Sequence, residues 1–301
     1  MDRTRLVGVG LALLSAASFG VMPVLTKVVY DDGAGFAGVL SVRFTLAALV
    51  LLLLARVRGQ ALPRGRTLVQ LLLLGGVGYA LQSLCYFLAL ERISASLTAL
   101  LLYCHPAVVV LLAALLLRRA PQRTAVVCVV VASLGTALTI GPVQGGQASG
   151  VLLGLAAALV YSVYIVVGSR VTSRTGPLAT SAVVMAGAAG VYDVLAVSTS
   201  ARLPGSAPAW AALLGVALLG TVVAVTAFFA ALSRLGPGDT AVVSTTEPVV
   251  SVLVAALALG ERLGPVQVSG GVLVLTAVVV LAGLSPGPAE GQGQGREQVP
   301  V

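Results

Sequence analysis

Charge is what this sequence has least of. Only 9% of its 301 residues are Asp, Glu, Lys or Arg, against roughly 25% in soluble domains, so a water-facing surface of ordinary size cannot be built. Histidine occurs once, at His105, and cysteine three times, at Cys85, Cys104 and Cys128. One histidine and three scattered thiols, all inside apolar runs, supply neither zinc-ligand spacing nor a disulfide framework. The cysteines are therefore read as small core residues, and neither a metal nor another cofactor is expected. No H-E-x-x-H motif and no Walker-type phosphate loop occurs, which excludes zincin chemistry and direct drive by ATP. The net charge of +8 does not point to nucleic acid, because the basic residues sit mostly between apolar runs.

Those runs dominate the chain: 58% of residues are hydrophobic and the mean hydropathy is +1.06. A helix needs about 20 apolar residues to cross about 30 Å of hydrocarbon. By that ruler the sequence predicts an all-α integral membrane protein with ten spans, at 6–28, 36–55, 68–90, 95–117, 123–141, 149–169, 178–198, 209–232, 239–259 and 265–284. Turn-forming breaks separate them, among them Asp31-Asp32-Gly33, Gly145-Gly146, Gly176-Pro177 and Gly236-Pro237-Gly238. The first run is too long for a cleaved signal sequence and is expected to stay as a membrane anchor. With the N-terminus cytoplasmic, thirteen basic residues fall on the cytoplasmic side; Arg92, Arg202 and Arg262 fall outside, with Lys27 at an outer helix end. That bias predicts both termini cytoplasmic in a multi-pass protein of the plasma (inner) membrane.

One short stretch is written twice. Tyr103-Cys104-His105-Pro106-Ala107-Val108 recurs, 142 residues on, as Thr245-Thr246-Glu247-Pro248-Val249-Val250. The same offset pairs Gly78 with Gly220, Phe87 with Phe229 and Arg92 with Arg234, and gives 15 identities in the 40 pairs of 78–117 with 220–259. The sequence thus predicts two five-helix repeats, 1–142 and 143–285, followed by a disordered tail at 286–301. Five helices is an odd number, so the second repeat enters the membrane from the opposite side. Inverted repeats of this kind are a recurring plan of secondary transporters, with the substrate site near the midplane.

A titratable residue directly before a proline, deep in a span, combines two costly features. Glu247 and His105 are therefore expected to face each other across an internal cavity, with Pro106 and Pro248 as hinge candidates. Each also has a plainer reading as a hydrogen-bonded helix-interface residue. Glu247, alternately exposed, could carry a proton, which would make protons a coupling partner. Arg43 is too deep in the second span to snorkel and calls for an acidic partner or an anionic ligand; Asp193 in the seventh span could pair with it or line the pathway. Lys27 could snorkel to headgroups or act as a gate. Tyr79, Gln82 and Tyr86 share one helix face, with Tyr161 and Tyr164 a shorter version, and Tyr103 adjoins the repeated motif. They suit an aromatic, hydrogen-bonding wall for an organic substrate, or equally interhelical packing. The glycines at 75, 76, 78, 187, 190, 270 and 271 suit close helix contact rather than phosphate binding.

Arg43-Phe44 in the second span, and Glu247-Pro248-Val249-Val250-Ser251 leading to Leu259-Gly260-Glu261-Arg262, resemble the EamA type of the drug/metabolite transporter superfamily over roughly residues 6–284. The resemblance implies transport of a small metabolite, amino-acid-like or drug-like, usually outward across the bacterial inner membrane. Two departures stand out: Arg118-Arg119 replaces the family's Gly-Glu after the fourth span, and Met185 is the counterpart of Arg43. The expected partners are a small-molecule substrate and the lipid bilayer. The competing classes are a channel or receptor-like binding protein, which would want a continuous polar stripe or a large extramembrane domain, and a membrane-embedded enzyme.

Overall fold

The computed structural model describes residues 3–105, 108, 112, 123–140, 147–172, 176–244 and 246–283. Pro106, the Arg118-Arg119 pair, the Gly145-Gly146 break, the junction at 142 and the tail at 286–301 lie outside these residues, as does the side chain of Cys128. Helix α1 runs Arg3–Asp31 and α2 Phe36–Val57. Helix α3 spans Gly65–Leu90, with Leu74–Tyr79 wound as a π-helix. Then come α4 (Ala95–Leu102), α5 (Arg123–Ile140), α6 (Gln147–Thr172) and α7 (Pro177–Ser198). Helix α8 joins Ala207–Ala217, a second π-helical stretch at Leu218–Val223, and Ala224–Ser244. Helices α9 (Thr246–Leu259) and α10 (Pro265–Gly283) complete the described chain.

The protein is an all-α, multi-pass bundle. Among the described residues six helices are long and apolar enough to cross a membrane: α1, α2, α3, α6, α7 and the Ala207–Phe228 part of α8. Their ends carry the local chemistry that stops or starts a helix. Ser94 Oγ accepts from Leu97 N, and Ser206 Oγ from Ala209 N, each satisfying an otherwise orphaned donor of a first turn. Gly59 and Gly260, just past α2 and α9, take φ of +64° and +67°, the left-handed conformation that only glycine adopts cheaply.

One expected boundary is corrected: helical bonding persists through Gly236-Pro237-Gly238 as far as Ser244. Residue 245 lies outside the described residues, and helix is described again from Thr246. The chain nevertheless reverses there: Ala224 bonds Ser15 and Leu235 lies against Gly8, but Glu247 and Val250 lie back against Gly20 of α1. Pro248 is buried within the stretch described from Thr246.

Packing is closest where α3 crosses α7. A Cβ on Gly75 would overlap the Val184 carbonyl, and one on Gly187 the Leu72 carbonyl, so the two backbones touch with no side chain between them. Gly135 likewise lies against Gly270 of α10. Beside the α3–α7 crossing, Phe44 of α2 stacks on Tyr192 of α7 at 5.6 Å, and the Tyr192 hydroxyl donates to the Ala80 carbonyl at 2.6 Å.

Two carboxylates staple the end of the bundle where α1 finishes. Asp32 accepts from the N–H groups of Gly205 and Ser206, at 2.7 and 3.1 Å, ahead of α8. Glu261, turned back by Gly260, accepts from Ala95 N at 2.8 Å, Ser96 N at 3.1 Å and Ser96 Oγ at 2.7 Å. Negative charge at a helix N-terminus also opposes the positive end of the helix dipole.

Two outcomes test this packing. Gly75→Ala should destabilise the purified protein by at least about 1–3 kcal/mol, the ordinary cost of overpacking. Gly190→Ala has open space around the new methyl and should be neutral or slightly stabilising; comparing the two by thermal unfolding in detergent separates crowding from helix propensity. The bonds from Ser206 and Gly205 hold the Asp32 carboxyl below the usual carboxylate range. A depressed pKa gives stability that is full above the unfolded value and fades as pH falls through the folded one. Asp32→Asn should therefore lower the unfolding temperature at neutral pH, with the gap closing only below the ordinary carboxylate range.

Candidate functional site

The two copies of the repeated stretch come together inside the bundle. Each contains a proline, and each proline withholds the N–H that would bond the carbonyl four residues earlier. Those carbonyls belong to Leu102 and Ser244. Both have found other donors. His105 Nδ1 lies 3.0 Å from the Leu102 carbonyl, and since a carbonyl only accepts, Nδ1 carries the hydrogen and Nε2 of the neutral ring is left as an acceptor. The Ser244 carbonyl is met by the Tyr103 hydroxyl at 2.9 Å, which also lies 2.8 Å from Oε2 of Glu247. One residue of the first copy thus touches both the freed carbonyl and the carboxylate of the second.

A run of rings leads away from this pair. His105 is edge-on to Tyr161 at 4.9 Å, Tyr161 stacks on Tyr164 at 5.9 Å, and Tyr164 meets Tyr79 at 5.5 Å. Tyr79 then meets Phe44 edge-on at 5.6 Å. These residues come from the end of α4 and from α6, α3 and α2. Tyr79, His105, Tyr161, Tyr164 and Glu247 all keep partial exposure. Gln82 and Tyr86 are buried: Gln82 accepts from Ser83 Oγ at 3.3 Å, and Tyr86 stands in the electrostatic reach of both Glu247 and Arg43. The wall expected on α3 is thus half-buried at Tyr79 and closed over at Gln82 and Tyr86.

Arg43 is buried, 2% exposed, but neither deep carboxylate pairs with it. Its Nε donates to Thr221 Oγ1 at 3.0 Å, and its guanidinium lies 4.8 Å from the Phe44 ring and 5.1 Å from that of Phe87. A hydroxyl acceptor and two aromatic faces hold the cation in place of an acid. Asp193 is on the other side of α2, accepting from Ser41 and, with both oxygens at 2.9 Å, from Thr45. Residues 41 and 45 are one turn apart, so 43 between them points away; the expected Arg43–Asp193 pair is excluded by helix geometry. Asp193 instead lines a lateral groove of about 710 Å³ with Leu49, Val197, Leu203 and Leu214.

Lys27 lies apart from the ring run, lining a cavity of about 330 Å³ with Tyr30, Asp31 and Glu91. Pro248 is buried within α9. Among the described residues no group of three or more His, Cys, Asp or Glu side chains is placed to hold a metal ion.

Sequence reasoning missed Thr221 and Glu261. Thr221 was signalled by the repeat itself, being the residue 142 positions beyond Tyr79: those two mates contact Arg43 and Phe44, neighbours on α2. Glu261 stood in the quoted motif, but nothing in one dimension says that it caps α4.

The fold has relatives of known structure. Twenty-four solved chains match it. One, a crystal structure, is 18% identical with a TM-score of 0.66, over 91% of this chain and 95% of the other. At that identity the likeness speaks for the fold alone. A comparison with curated protein sequences gives no match. The sequence matches the EamA-like transporter family twice, over residues 6–141 and 148–283. Two matches that together take in nearly all of a multi-pass helical bundle decide the matter: the chain belongs to the EamA-like transporter family, whose members carry small molecules across membranes.

Proposed function

We propose that the protein is a secondary transporter of ten transmembrane helices, built as two inverted five-helix repeats and working by alternating access. Its substrate is a small organic metabolite, amino-acid-like or drug-like, exported across the inner membrane in exchange for protons. The observation that carries this reading is the Tyr103–Glu247 bond, which joins the two repeated stretches to each other. Interrupted helices around an internal site are how transporters expose backbone and side-chain polar groups without exposing them to lipid.

The candidate residues divide the work. Glu247 offers the charge-changing acceptor and exchanges a proton with whichever side the site faces. His105 Nε2 and the hydroxyls of Tyr161 and Tyr164 offer neutral polar contacts along an aromatic wall. Arg43, whose Nε donates to Thr221 and whose terminal nitrogens bond none of the described residues, is the group for a substrate carboxylate. Pro106 and Pro248 mark the flexing points, and Lys27 with Glu91 and Asp31 forms a charged mouth at one end. Asp193, turned into the lateral groove, takes a structural part by tying α2 to α7.

Flux tests the core of this. The protein in liposomes, screened against amino acids and organic cations with and without an imposed pH gradient, should show uptake that depends on the gradient. Glu247→Gln, which keeps shape and removes the charge change, should cut gradient-driven flux by roughly tenfold or more; undiminished flux with the same pH dependence would reduce Glu247 to a structural residue. Topology is tested by single-cysteine labelling from outside in a background lacking Cys85, Cys104 and Cys128. Positions 145 and 202 should label while 64 and 174 stay protected; the reverse pattern would overturn the orientation.

A further inference from the structure

The lateral groove between α2, α7 and the first part of α8 lies outside the ring run and has a charge of its own. Asp193 is half-buried in it and accepts from the hydroxyls of Ser41 and Thr45. Two hydroxyl protons occupy only part of a carboxylate that offers about four lone-pair positions, and neither hydroxyl carries a positive charge. Among the described residues no lysine, arginine or histidine forms an ion pair with it. An ionised group at membrane depth calls for a partner. Here the protein supplies hydroxyls and a space of about 710 Å³, the size of a site for a drug-sized molecule.

We propose that this groove binds a lipophilic primary ammonium ion drawn from the bilayer, with its N–H groups on Asp193 and its apolar body along Leu49, Val197 and Leu214. The groove opens sideways between helices of membrane length, where Leu49 is 60% exposed and Val197 82%. Its charge sits at the depth such molecules take. Ser41 lies five residues inside the start of α2 at Phe36, and Asp193 five inside the end of α7 at Ser198, about 8 Å at helical rise. That is just under the headgroups, where an amphiphile keeps its polar end near water and its body in hydrocarbon.

The lining selects among lipid-soluble occupants. Among the described residues that line the groove, Asp193 is the one charged side chain, and no lysine or arginine accompanies it. A phospholipid whose headgroup carries an amine carries a phosphate beside it, which would enter without a cation to meet it. A neutral or anionic lipid gains nothing from Asp193. A monocation gains the charge pair and, through its N–H groups, the unused lone pairs. The site is separate from the one around Glu247, since Asp193 and Arg43 lie on opposite sides of α2. Occupancy here therefore goes beyond the transport reading and stands without it.

Trp210 is the single tryptophan of the chain, and it precedes Leu214 by one turn on the same face of α8. Its fluorescence therefore reports the groove in the unmodified protein. The probe is para-bromophenylbutylamine, whose bromine quenches indole on contact, added to the full-length protein in phosphatidylcholine nanodiscs at neutral pH. The alcohol of the same skeleton is the uncharged control. The amine should quench to a plateau, while the alcohol, which only dissolves in the bilayer, gives a shallow rise without one. Asp193→Asn should raise the half-saturating amine concentration roughly tenfold or more. Val197→Phe, which narrows the groove and leaves Asp193 and its hydroxyl partners in place, should raise it too, and decides the matter should Asp193→Asn not fold. Equal curves for amine and alcohol, an amine curve that stays put in either folded variant, or release of the amine by phosphatidylethanolamine blended into the disc each overturn the proposal. The readout is binding rather than flux, so loss of proton coupling counts against the transport reading and not against this site.

Discussion

In hydrocarbon a backbone carbonyl without a donor costs several kcal/mol, and the prolines after His105 and Glu247 have no N–H to offer the carbonyls of Leu102 and Ser244. Most of the candidate site follows from that constraint. The imidazole of His105 and the hydroxyl of Tyr103 are placed where the missing N–H groups would have been, and Glu247 is held by the same hydroxyl. The plainer of the two readings raised at the level of sequence, hydrogen-bonded helix-interface residues, describes these bonds. A polar group that mends a broken helix is already in the membrane interior, already partnered and already beside a weak point.

The apolar runs made the fold class and most helix positions readable, because membrane length is a hard ruler. The 142-residue offset matches His105 with Glu247 in the sequence. What was not readable is that Tyr103 is the residue of the first stretch that reaches Glu247. The mate of Tyr103 is Thr245, so the offset marks the position and says nothing of a phenol reaching across to a carbonyl. The turn expected at Gly236-Pro237-Gly238 was misjudged, since helical bonding runs through it.

Arg43 and Asp193 show a different limit. Both are deep, opposite in charge and few in number, and pairing them by elimination was the natural expectation. Helix phase decides otherwise, since Asp193 bonds to residues 41 and 45 and thereby faces away from 43. Two aromatic faces and a threonine hydroxyl hold the guanidinium in place of a carboxylate. The two π-helical stretches, at Leu74–Tyr79 and Leu218–Val223, belong to the same class of feature: they overlap under the repeat offset and set the angular phase of Tyr79 and Thr221, yet no residue type announces them.

The backbone contact between Gly75 and Val184, and between Gly187 and Leu72, bears on what can move. Side chains between helices act as a compressible layer that lets one element slide past another by changing rotamers; here that layer is missing. Helices α3 and α7 can separate, but they cannot slip, and α2 is bound to α7 through Phe44, Tyr192 and the Asp193 bonds. Any large motion must therefore carry α2, α3 and α7 as one rigid body. That body takes two members from the first half of the sequence and one from the second, so its outline does not follow the midpoint of the chain.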